Sequence, residues 1–141
     1  MYMYNYYFIL LIIIILLIIY YLYYNYLPII YYYYFDTPLL QQKGLSFKKY
    51  LPFNNIAIFD FEKYGNHSMW MKNTFISLDI LFLDKNYNIL GFIKNTNPHS
   101  LKSLQIQKKS YYVIEASSGF INYYNIKINT NFKKYFTLKK I

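Results

Sequence analysis

The 141-residue chain contains no cysteine, and its 15 basic residues, all lysine, outweigh 6 acidic ones to give a formal charge of +9. That length allows one small domain, and the missing cysteines exclude disulfides, thiolate metal sites and cysteine nucleophiles. The lysines are scattered in ones and twos, with no arginine fork and no recognition helix, so no nucleic-acid partner is expected.

Residues 1–35 carry no charged side chain. The aliphatic run Phe8 to Ile19 is flanked by tyrosines, whose apolar rings and polar tips suit a bilayer interface. Extended through those tyrosines, residues 6–27 are long enough to cross about 30 Å of hydrocarbon. Pro28 then ends the helical pattern. A single N-terminal transmembrane helix is therefore expected, with the lipid bilayer as its partner and a single-pass membrane localisation. The rival reading is a cleaved signal peptide, whose basic start and small cleavage residues this segment lacks. Lys43, Lys48 and Lys49 after the span favour a cytosolic domain by the positive-inside rule. The sequon Asn66-His67-Ser68 would matter only in a lumen, and the side stays open. The expected division is an anchor over 1–35, a linker over 36–43 and a small β domain over 44–141.

Within that domain the period changes to two. Ile56 to Phe61 is rich in β-formers. Leu78 to Leu83 sends Leu78, Ile80 and Phe82 to one face and Asp79, Leu81 and Leu83 to the other, the pattern of an interior strand. Asp84-Lys85-Asn86 signals a turn, with Asn88 to Ile93 as the hairpin partner. Tyr111 to Ala116 is a further strand, the stretch from Ser118 to Asn125 a turn and one short helix, and Phe132 to Leu138 a last strand. Asp79 stands out, because a carboxylate in an apolar strand must be paired or hydrogen-bonded. Its nearest polar neighbours are Lys72, Asn73 and Thr74, which are expected to donate to it and so fix their loop.

The phrase Trp70-Met71-Lys72-Asn73-Thr74, followed by Leu78-Asp79-Ile80 and an apolar strand, resembles the domain of unknown function 192 family. Gly44-Leu45, Ile58 to Phe61, Gly91, Asn95, and Glu115 with Gly119 resemble further family positions, so the likeness runs from about Gly44 to Ile128. Lys48 stands where the family tends to have arginine, Ser77 where it has proline, and Asn55 and Asn125 where glycine is common. The fold this resemblance implies, in keeping with the strands, is mainly β: a compact jelly-roll-like sandwich or barrel. It implies no reaction.

The candidate binding residues are Trp70, Lys72, Asn73, Thr74 and Asp79, an aromatic face beside hydrogen-bonding groups suited to a polar or carbohydrate ligand. The competing reading for Trp70 is that it fills the core with Met69 and Met71 as gap-fillers. A non-enzymatic binding or accessory role is expected. The alternative is a hydrolase-like enzyme with Asp79 and Glu115 as its carboxylate pair. No cofactor is expected, and no metal, because His67 and His99 are the only imidazoles and are far apart in sequence.

Overall fold

Every side chain from Leu78 to Leu83 is buried, as expected for a strand with neighbours on both edges and cover on both faces. In the computed structural model, which describes residues 2–141, this strand lies at the heart of one mixed sheet. In chain order the elements are α1 (Tyr2–Asn25), β1 (Ile29–Phe35), α2 (Pro38–Lys43), β2 (Asn55–Gly65), β3 (Leu78–Leu83), β4 (Ile89–Ile93), β5 (Ser110–Ser117), α3 (Phe120–Tyr123) and β6 (Thr137–Lys140). The strand order is β4-β3-β5-β2-β1-β6. Pairing is antiparallel from β4 to β2, whereas β1 runs parallel to both β2 and β6.

Alternation along the strands gives the sheet two apolar faces. On one, Ala57, Phe59, Ile80, Phe82 and Val113 pack under Leu45, Leu51, Met69 and Met71, which arrive on loops. On the other, Ile56, Ile58, Leu81 and Ile114 meet Phe120, Phe132 and Phe136. The fold is thus mainly β sheet with a few short helices, sandwich-like because each face carries a second layer. Hydrogen bonding among the described residues joins all six strands into that one sheet.

Three local expectations are corrected. Residues 29–35, read from sequence as the tail of the anchor, form an internal strand with Ile30 fully buried. The expected linker contains α2. The last strand is displaced: Phe132–Lys134 forms a turn of 3-10 helix, and pairing starts only at Thr137. Phe132 and Phe136 both enter the core while Lys134, which strand alternation would put on the same face, is exposed, the pattern of a helical turn. Asn131 caps that turn by accepting from the Lys133 N–H at 3.0 Å.

Helix α2 has ordinary helix punctuation. The Thr37 hydroxyl accepts the Leu40 N–H at 3.4 Å, Pro38 opens the first turn, and Gly44 closes the last with φ of +46°. Gly44 is required twice over, since a Cβ there would lie 3.2 Å from the Phe59 ring. The Gln41 amide then pins the helix to the sheet by donating to the Phe35 and Asp60 carbonyls, at 3.2 and 2.5 Å.

Helix α1 precedes this domain. Its stretch Tyr6–Tyr23 is long and apolar enough to cross a membrane, and none of it is buried against the rest of the chain.

Candidate functional site

The W-M-K-N-T segment sorts its residues by side. Met69 pairs with Leu104 in an isolated antiparallel bridge, so the chain there is extended and alternates. Met69 and Met71 turn into the core, whereas Trp70 between them stays half exposed. The core-filling reading therefore holds for the methionines and fails for the tryptophan. The segment then closes a tight turn in which the Thr74 N–H donates to the Met71 carbonyl at 3.1 Å, with Asn73 at φ of +57°. Asparagine tolerates that left-handed backbone better than most side chains. The Asn73 carbonyl accepts the Phe47 N–H at 2.7 Å, and the Thr74 carbonyl accepts that of His99 at 3.1 Å. Asn73 thus serves the turn, Thr74 is buried beneath it, and Trp70 and Lys72 face outward.

Between this turn and α2 lies a cavity of about 230 Å³, lined by Trp70, Lys72 and Asn73 on one side and by Gln42, Lys43 and Phe47 on the other. The Lys72 ammonium lies 5.9 Å from the centre of the Trp70 ring, a cation–π contact that holds both on the rim. A second, narrower cavity of about 20 Å³, room for about one water molecule, shares Gln42, Lys43, Ser46 and Trp70 with the first. Glu115, from the sheet, is among the residues that line it.

Glu115 is 4% exposed, and burial pushes its carboxyl up to about 8, with no hydrogen bond or nearby charge acting on it. It is a protonated acid at neutral pH with hydrogen-bonding capacity unused by the described residues.

Asp79 is elsewhere. It is fully buried, and its two oxygens accept the backbone N–H groups of Asn95, at 2.9 Å, and Ile121, at 3.0 Å. The expected bonds from Lys72, Asn73 and Thr74 are not made, because Asp79 faces the other side of the sheet from their turn, and the Thr74 hydroxyl donates instead to the Lys72 carbonyl at 3.4 Å. Asp79 instead caps α3, whose own N-cap, Gly119, has no side chain to offer. It also lies on the opposite face of the sheet from Glu115: Asp79 pairs with Ala116, which packs with the α3 side, while Glu115 pairs with Ile80 on the cavity side. The two carboxylates cannot flank one substrate.

His67 stacks on Phe61 at 3.8 Å, and His99 meets Phe75 edge-on. Among the described residues, no three histidine, cysteine, aspartate or glutamate side chains cluster as metal ligands would.

The sequence reading missed α2 as a wall of the site, and with it Gln41, Gln42 and Lys43. The signal was present in Thr37-Pro38 and Gly44, which bracket a helix by side-chain cap and glycine stop.

Fold and cleft together define a small, mainly β domain behind an apolar N-terminal helix, with an open polar-aromatic cleft on its methionine-lined face. The sequence model of the domain of unknown function 192 family, described as an uncharacterized ACR, matches residues 30–133, and the chain belongs to that family. The match begins within β1, in keeping with that strand being part of the domain. Two solved structures are similar. One, a proposed transcription regulator from Sinorhizobium meliloti, is 26% identical with a TM-score of 0.68, over 70% of this chain and 76% of that one. The other, a protein of unknown function from Novosphingobium aromaticivorans, is 27% identical with a TM-score of 0.66, over 68% of this chain and 69% of that one. No curated protein matches the chain in sequence.

Proposed function

We propose that this is a single-pass membrane protein whose β domain binds a small polar ligand, carbohydrate-like in size, without turning it over. The observation that carries the reading is the cleft of about 230 Å³ between α2 and the W-M-K-N-T turn, where Trp70 and Lys72 are held outward while their neighbours are consumed by the scaffold. An aromatic face with a few convergent polar groups is how small-molecule sites combine contact area with orientation. The Asn73 backbone and Thr74 shape the turn, and Asp79 supports the fold from the other face, so the direct contacts fall to Trp70, Lys72 and the exposed Asn73 side chain. The exposed apolar surface of α1 supports anchoring in the bilayer through residues 6–27.

The test is calorimetric titration of the full chain in detergent micelles with glucose, N-acetylglucosamine and trehalose. Trp70→Ala and Lys72→Ala should abolish or sharply weaken any binding, Lys72→Ala changing unfolding free energy by no more than about 0.5 kcal/mol and half-exposed Trp70→Ala by about 1–3 kcal/mol without unfolding the domain. Retained binding in both variants would remove the site from this cleft.

A further inference from the structure

Glu115 is the one unexplained group beside the cleft. A buried acid ordinarily has a partner, because a polar group taken out of water without one is unfavourable. Here the described residues supply none, and the carboxyl lines a cavity that opens among the same residues as the larger one.

The charges around it decide what it can meet. From α2, Lys43 lines both cavities; from the W-M-K-N-T turn, Lys72 lines the outer one. From β2 the facing residues are Ala57 and Phe59, and from β3 Ile80, none of them charged. Lys48, on the loop that covers this face, is engaged over the Tyr33 ring at 4.6 Å. The Asp60 carboxylate is bonded to the Tyr34 hydroxyl, and Asp79 lies across the sheet. The lining therefore combines the ammonium groups of Lys43 and Lys72 with an acid that burial keeps neutral, on a chain of formal charge +9. Such a field attracts anions and repels amines. A neutral carboxylic acid in that position is a donor aimed at an acceptor oxygen.

We infer that the cleft takes an anionic ligand bearing a carboxylate or other oxyanion, one oxygen of which accepts a hydrogen bond from Glu115 while Lys43 and Lys72 hold its charge. This rests on the reading of the cleft as a binding site and narrows its ligand class. The narrow inner cavity, about 20 Å³ in volume, admits little more than that one oxygen past Trp70.

Binding should consequently depend on pH in a defined direction. Above the Glu115 ionisation the donor becomes an acceptor and a like charge, so anions leave; a lysine-only site would be indifferent over the same range. The experiment titrates the full chain in detergent micelles with acetate, sulfate and methylammonium. None of these changes charge between about pH 6 and pH 9. The readout is fluorescence of Trp70, the single tryptophan. Acetate and sulfate are expected to bind and to lose about tenfold in affinity across that range, the loss of one charge-assisted hydrogen bond. Glu115→Gln, which keeps a donor, should hold the low-pH affinity throughout, and Lys43→Ala or Lys72→Ala should weaken anions at every pH. Binding of methylammonium in place of the anions, anion affinity that is flat or rises with pH, or a pH step that survives in Glu115→Gln would overturn the inference. If the sugars bind and the anions do not, the cleft stands as a site and the anion assignment alone is wrong. If none of these compounds binds, both readings fall.

Discussion

Asp79 and Glu115 sit on adjacent strands one residue out of register, Asp79 opposite Ala116 and Glu115 opposite Ile80, and therefore point to opposite faces of one sheet. Two of the 6 acidic residues of the chain are thus buried within a single layer, under different physical regimes. Asp79 holds one backbone donor on each oxygen. Glu115 has burial and no partner. The first arrangement supports a fold, and the second leaves chemistry available to a visitor.

Asp79→Asn tests the first regime. Asparagine retains one acceptor oxygen but turns an amide N–H toward the second backbone donor, either Asn95 or Ile121. One buried N–H is then unsatisfied and the cap on α3 is weakened. The expected loss is about 2–3 kcal/mol in urea unfolding, followed by tryptophan fluorescence. An unchanged midpoint would show that the carboxylate does not latch β3 to α3.

For Glu115 the sign runs the other way. Its carboxyl stands at about 8 in the folded chain against an ordinary value of 4.5, so between those pH values the folded state holds a proton that the unfolded state has released. Stability is then complete below about 4.5, falls as pH rises toward about 8, and levels off beyond, where both states are ionised. Glu115→Gln removes this slope. At pH 7 the variant should be more stable than the parent by roughly 3 kcal/mol, with the two converging in mild acid. Unfolding curves at several pH values decide it; parallel profiles for parent and variant would mean that Glu115 does not titrate with folding.

The sequence revealed most where a pattern was both local and two-sided. Leu78 to Leu83 has apolar residues at both parities, so an interior strand was the only arrangement that buried them all, and Asp79 within it had to be satisfied. Its partners were not legible, because Asn95 and Ile121 are 16 and 42 residues away and donate through the backbone, which any residue could do. The direction of Trp70 was hidden for a related reason. Alternation sets Trp70 against Met69 and Met71, but which side is core depends on the bridge to Leu104, a contact across 35 residues that no short window contains. The short helix α2, by contrast, is readable from its caps, Thr37-Pro38 and Gly44, although six residues are too few to show a helical period.

The boundary between anchor and domain was the deepest loss, and it yields the last prediction. Tyrosine, isoleucine and leucine run without a charge from α1 through Phe35, so the change from helix to strand leaves only Pro28 as a marker. Yet β1 lies between β2 and β6, with Ile30 fully buried and the Pro28 carbonyl accepting the Thr137 N–H at 3.0 Å. A chain starting at Gly44, the first residue of the family likeness in the sequence, lacks this strand. It would leave β6 with no strand to pair with, expose an edge of β2 and lose the α2 wall of the cleft. Missing backbone pairs along a whole strand exceed the margin of a small domain, whose total stability is about 5–15 kcal/mol. The shortened chain should therefore show no cooperative thermal unfolding and should aggregate, while a chain starting at Pro28 melts in one sharp transition. Near-ultraviolet circular dichroism on both chains separates the outcomes, and cooperative melting of the chain from Gly44 would show β1 to be dispensable.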